Sequence, residues 1–265
     1  MRNDSRLAHD FMVNGKSTSC SVIDMHGHYG PFQGIYFPSA GAEAMVRTMD
    51  RAGVRMIVCS SHAALIDPAR GNPLMAEVVR RYPDRFRAYW AINPNYPEQI
   101  DSDLADYENH GEFVGFKFLA DYHKYPITGP NYRPVLEYAN RRGLLLLVHT
   151  WGHSQYDSPS SLATLAGEYP QVKFLMGHSG FGEWDRAVTV AREHDNIFLE
   201  LTAAYAVNGY LEKMVLEAGS EKVLFGTDLP WFDPHYGIGC ILFAKISDED
   251  RHNILHRNAE KLLMR

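Results

Sequence analysis

The sequence predicts a single (β/α)8 TIM barrel. Three observations carry that expectation. Along 265 residues, eight apolar runs of strand length alternate with stretches of helical spacing, and a closed parallel barrel uses eight strands and about 250 residues. The runs are mostly continuously apolar, as strands covered on both faces are. No glycine-rich phosphate loop follows an early strand, although the rival doubly wound open sheet calls for one.

The elements follow in order. Residues 1–19 are polar and read as an N-terminal arm, loose or packed on the outside, and residues 20–265 form the barrel domain. The first strand covers 21–25. Gly30-Pro31 and Pro38 mark an aromatic loop, and Ala44, Met45, Met49 and Ala52 recur at helical spacing in a helix over 42–52 that Gly53 closes. Residues 54–59 form a β-branched strand. A helix over 73–82 with Met75, Val78 and Val79 on one face precedes a strand over 86–92 that Asn93-Pro94 stops. Pro97 sits in the first turn of a helix over 97–109, where its missing N–H costs nothing. Strand 113–119, a loop over 120–130, helix 132–142 and strand 144–149 continue the alternation. Helix 160–169, strand 172–178, helix 183–194, strand 196–201, helix 207–218 and strand 222–227 complete it. Ser247 to Asp250 has a capping-box pattern and opens a last helix over 247–263.

Composition excludes several classes. The formal charge of -6 without a basic run argues against a nucleic-acid surface. Three widely spaced cysteines are no disulfide framework and suit a reducing cytoplasm. The longest apolar run, 144–148, is strand-sized and does not span a membrane, and residues 1–18 lack the apolar core of a signal peptide. The expected partner is a small-molecule substrate. For the aromatic loop at 30–37 and the N-terminal arm the alternatives are a homo-oligomer interface, a lid or simple packing.

Chemistry concentrates at the strand ends. His26 and His28 are two residues apart, so on a strand they share a face and offer two imidazoles to one divalent metal. Barrel enzymes place their chemistry at the C-terminal ends of the strands. Here those ends carry His26 and His28, then Lys117, His149, His178 and Asp228. Trp151, Trp231 and Phe232 directly follow such positions and are candidate pocket walls. Arg70, in the loop after the second strand, is a candidate for a substrate carboxylate. Glu200 and Thr202 share a face near the seventh strand end, and periodicity leaves open whether it points inward. His62, His123 and His153 remain unassigned, and Cys59 reads as a small buried residue.

This pattern resembles the amidohydrolase superfamily, and more closely its amidohydrolase-2 branch, which includes aminocarboxymuconate-semialdehyde decarboxylase relatives. Supporting phrases are Ala91-Ile92-Asn93-Pro94, Gly226-Thr227-Asp228-Leu229-Pro230 and Ile254-Leu255-His256-Arg257-Asn258-Ala259. The resemblance implies one divalent metal held by His26, His28, His149 and Asp228, with zinc expected and Mn, Fe or Co as alternatives. It implies Asp228 and His178 as the catalytic acid/base groups. Lys117 is a barrel lysine pairing with a carboxylate, or a carbamylated bridge in a binuclear site that also uses His178. The leading expectation is a hydrolase that turns metal-activated water on an amide, ester or lactone. The alternative is a non-oxidative decarboxylase of an aromatic or muconate-type acid. A third reading is a catalytically inactive barrel that binds a ligand.

Overall fold

The computed structural model describes residues 5–264. Eight parallel strands lie side by side in the order of the chain: β1 (Ile23–Tyr29), β2 (Met56–Ser61), β3 (Phe86–Ala91), β4 (Phe113–Phe118), β5 (Leu145–Trp151), β6 (Lys173–Phe181), β7 (Ile197–Glu200) and β8 (Val223–Leu224). The barrel closes between the last strand and the first. Met25 N–H donates to the Phe225 carbonyl and His28 N–H to the Leu229 carbonyl, both at 2.8 Å.

Helices cover the outside: α1 (Arg6–Asn14), α2 (Ala42–Ala52), α3 (His62–Ile66), α4 (Pro68–Arg81), α5 (Ile100–Glu108), α6 (Ala120–His123), α7 (Arg133–Arg142), α8 (Pro159–Glu168), α9 (Trp184–Glu193), α10 (Tyr210–Ala218), α11 (Pro234–Phe243), α12 (Asp248–His252) and α13 (Asn258–Leu263). Among the described residues no helix is long and apolar enough to cross a membrane. A large apolar layer packs helices on strands, and a smaller cluster fills the barrel itself. That inner cluster joins Ile23, Met25, Val58, Tyr89, Leu147, Leu175 and Leu224, and Ala259 and Leu262 of α13 plug its lower end.

Several expectations change. The arm at 1–19 contains α1, capped by the Ser5 hydroxyl. Pro73 lies inside α4 rather than opening it, because Asp67 caps that helix and Pro68 takes its first position. The expected loop at 120–130 begins with the short α6. The α11 helix was not expected at all: its sequence is nearly uniformly apolar with two glycines, so it has no polar face for periodicity to reveal. The eighth strand is shorter than 222–227, with only Val223 and Leu224 in the ladder. The last helix does open on the Ser247–Asp250 capping box, but a π-helical segment (Asn253–Arg257) separates α12 from α13.

One irregularity decides where the first strand aims its histidines. Ile23 and Met25 point into the barrel, so strict alternation would send His26 and His28 outward with Asp24. Between Asp24 and Gly27 the register against β2 slips by one residue. The bulge resets the parity, and both histidines also face inward, which is how bulges beside active sites re-aim side chains.

The seam beside this bulge is held by Asp24, which is fully buried. Its Oδ1 accepts from His26 N–H at 3.0 Å and Thr227 N–H at 3.1 Å, and its Oδ2 accepts from the Thr227 hydroxyl. Burial pushes this carboxyl up to about 8, against the three donors that favour its charged form. Asp24→Ala would leave those donors unpaired in a dry interior. The expected loss is about 3 kcal/mol or more, read as a lower urea midpoint at unchanged slope. A loss under about 1 kcal/mol would mean that the seam does not depend on Asp24.

Candidate active site

The strand ends open into a cavity of about 550 Å³. His28, His149, His178 and Asp228 lie in its wall, together with the aromatic side chains Phe32, Tyr96, Tyr122, Trp151, Trp231 and Phe232. His26 and Lys117 are fully buried beneath them.

Three of the predicted ligands converge. Asp228 Oδ1 lies 3.1 Å from His26 Nε2 and 3.3 Å from His28 Nε2. It is buried yet has no well-aligned hydrogen-bond donor. A buried carboxylate oxygen without a donor, facing two imidazole nitrogens, is the arrangement a cation completes.

The tautomer of His26 is set from behind. Its Nδ1 donates to Glu200 Oε2 at 2.6 Å, which leaves the Nε2 lone pair for the Asp228 side. Lys117 Nζ donates to that same Nε2 at 2.8 Å. Glu200 also accepts from Thr202 N–H at 2.7 Å, from the Thr202 hydroxyl at 2.6 Å and from His178 N–H at 3.2 Å. Glycine at 226 makes room for this carboxylate, since a Cβ there would stand 2.0 Å from Glu200 Oε1.

Burial sets most of the charge states. It pushes the imidazoles of His26 and His28 below their ordinary value and that of His178 down to about 3. It also pulls Lys117 down to about 8, although the carboxylates of Asp228, Glu200 and Asp157 favour its charge. Burial raises the Asp228 carboxyl, but the imidazoles of His26, His178 and His28 outweigh it and hold that group well below the carboxylate range.

His149 and His178 face each other with ring centroids 4.8 Å apart. His149 Nδ1 lies 3.2 Å from the buried Asp157 carboxylate, which leaves Nε2 as its free nitrogen. His178 Nδ1 is buried without a partner. Both His178 and Asp228 adopt left-handed backbone, each with φ of 62°. Non-glycine residues held this way cost about 1–3 kcal/mol each and cluster at functional sites.

The walls are ordered. Trp151 stacks on His149 within 4° of parallel, and the other side of the cavity has Trp231 donating its Nε1–H to His62 Nε2 at 3.0 Å. His62 in turn donates from Nδ1 to the Gly30 carbonyl at 2.7 Å and stacks on His28. His123 lies in the wall as well, while His153 does not.

Arg70 requires correction. It lies on α4 rather than in a loop, is exposed, and lines a neighbouring cavity with Asp67 and Leu74. Among the described residues of the histidine cavity there is no Arg or Lys. Sequence reasoning missed Asp24 and Asp157 and left His62 without a role. Asp157 has one retrospective signal, an acidic residue eight positions after His149 in the loop above that strand.

Comparisons with known proteins agree on this architecture. The family model Amidohydro_2, described as "Amidohydrolase", matches residues 23–265. A curated relative, gamma-resorcylate decarboxylase of Rhodococcus jostii (strain RHA1), is 24% identical over 276 residues, covering 83% of each chain. A crystal structure of 2,6-dihydroxybenzoate decarboxylase complexed with 2,6-dihydroxybenzoate superposes with a TM-score of 0.75 at 18% identity, over 92% of this chain and 99% of that one. A dihydroxybenzoic acid decarboxylase from Polaromonas sp. JS666, with bound manganese and the inhibitor 2-nitroresorcinol, has a TM-score of 0.73 at 18% identity, over 92% and 97% of the two chains. These likenesses overturn the expectation of hydrolysis on an amide, ester or lactone. The named relatives are decarboxylases, and the sequence-based alternative is the reading they favour.

The Glu200–His26 bond yields a direct expectation. In Glu200→Gln the amide turns its NH2 either to His26 Nδ1, forcing the tautomer with a proton on Nε2, or to the Thr202 donors that the carboxylate accepts from. Affinity for Mn²⁺ should fall about 10- to 100-fold with the fold intact, as measured by titration with circular dichroism as control. Unchanged affinity would remove Glu200 from the support of the site.

Proposed function

The chain belongs to the amidohydrolase family Amidohydro_2, and from that premise we propose that it is a metal-dependent, non-oxidative decarboxylase of a small hydroxylated aromatic acid. The observation that carries the reading is the convergence of His26 Nε2, His28 Nε2 and Asp228 Oδ1 in an aromatic-walled cavity. The decarboxylase names of the relatives support the reaction class.

The residues fit a single divalent ion. His26, His28 and Asp228 would hold it, with His149 as the fourth candidate ligand. Imidazole and carboxylate accept Zn, Mn, Fe or Co. The manganese in the Polaromonas neighbour makes Mn²⁺ the first ion to supply. When bound, such an ion supplies positive charge for an acidic substrate's carboxylate and neighbouring hydroxyl.

The chain's own groups do the rest. A volume of about 550 Å³ is ample for a single-ring acid. Trp151 and Trp231, each fixed by a histidine, offer flat walls for the ring and shield it from water. Decarboxylation breaks the bond from ring to carboxylate carbon, releases CO2 and leaves a ring carbon that must gain a proton. Asp228 and His178 are the cavity groups placed to relay that proton to the ring from a phenol hydroxyl or a water. His178 contributes by position: its Nδ1 is buried without a partner and its ring faces His149 across the cavity.

The test is direct. The purified chain with Mn²⁺ should convert 2,6-dihydroxybenzoate, or another ortho-hydroxybenzoate in a small panel, to the phenol plus CO2, and a chelator should stop it. No CO2 from any member of the panel with metal shown to be bound would sink the reading. In His178→Asn, metal content should persist while turnover drops about 100-fold or more. Loss of metal in that variant would place His178 among the ligands instead.

A further inference from the structure

A second group of metal-binding side chains lies away from the cavity, just before β1. Cys20 Sγ, His252 Nδ1 and His256 Nε2 all stand within 4.8 Å of one another. Cys20 precedes the first strand. His252 ends α12, and His256 follows one turn later in the π-helical segment. Such π segments frequently mark functional positions in a helix.

The distances are those of a coordination shell. Cys20 Sγ lies 3.4 Å from His252 Nδ1, which lies 3.1 Å from His256 Nε2. A tetrahedral zinc with bonds of about 2.0 Å to nitrogen and 2.3 Å to sulfur sets its ligand atoms about 3.3–3.6 Å apart. Those two spacings match the shell to within tenths of an ångström, and the third, from Cys20 Sγ to His256 Nε2, is no more than 4.8 Å.

The histidine nearest the helix end is also oriented for the task. His256 Nδ1 lies 3.1 Å from Glu260 Oε2, and Arg55 binds the other oxygen of Glu260 at 2.9 Å. A carboxylate behind Nδ1 takes its proton and leaves the Nε2 lone pair facing the cluster. Access exists as well. Cys20 is buried, but His252 lines an open cavity of about 790 Å³ alongside Ser5, Asp10 and Ser19.

We propose that Cys20, His252 and His256 form a second cation site that takes a thiophilic divalent ion such as Zn²⁺. It is independent of the cavity and of the reaction proposed there. Three protein ligands leave a fourth position for water. The ion would clamp the segment before β1 to α12 and the π-helical segment that follows it.

Cobalt titration of the full chain tests this without reference to turnover. Cobalt held by the histidines and Asp228 of the cavity has no sulfur ligand, so thiolate-to-cobalt charge-transfer absorption reports the cysteine site alone. The band should saturate at about one equivalent of bound thiolate-ligated Co²⁺ per chain, and Zn²⁺ should bleach it. Cys20→Ser should abolish the band while leaving cobalt in the cavity. If Cys20→Ser does not fold, His252→Ala keeps the thiol and should weaken cobalt about tenfold or more at this site. No band in the folded wild-type chain would overturn the proposal. So would a band that survives Cys20→Ser, or unchanged affinity in His252→Ala.

Discussion

A carboxylate without water must be surrounded by donors, and the centre of this barrel is arranged around one such group. Glu200, at the end of β7, gathers the Nδ1–H of His26 from β1, the backbone N–H of His178 from β6 and both donors of Thr202. Each bond fixes something different. The first selects the tautomer of His26, the second positions the backbone of His178, and the others turn the chain after β7. Asp24 plays the matching part at the seam, where it joins the first strand to the last. Two buried carboxylates thus hold the polar interior together, and the side chains that face the cavity inherit their orientation from them.

Much of this was legible in the sequence, and the exceptions have physical causes. Alternating apolar runs revealed the eight strands and their parallel order. The positions of His26, His28, Lys117, His149, His178 and Asp228 followed from strand ends alone. Periodicity could not reveal the bulge after Asp24, because a slip of one residue is a property of pairing between strands. It left Glu200 and Thr202 undecided for the same reason. Arg70 was misplaced because Asp67-Pro68 starts a helix there, and α11 was missed because a helix with no polar face has no readable period.

The mistaken reaction has a deeper source. Ligands and proton-holding groups are the same for attack on a carbonyl and for loss of a carboxylate, so residues at strand ends could not separate the two. What separates them is what the cavity holds against those groups. Here that depends on loop aromatics such as Phe32 and Trp231, which pack against each other in the cavity wall. Loops tolerate change far more freely than strands. A family can therefore keep its ligand set and alter its chemistry by rebuilding walls.

The left-handed backbone at His178 and Asp228 carries an implication for how this protein can adapt to heat. Glycine would relax either position, by about 1–2 kcal/mol, but each substitution deletes a side chain to which the proposed reaction assigns a role. That route to greater robustness is closed while the site is in use. Lineages living at higher temperature would have to find their stability elsewhere, in the apolar plug beneath the site and in the helices that wrap it.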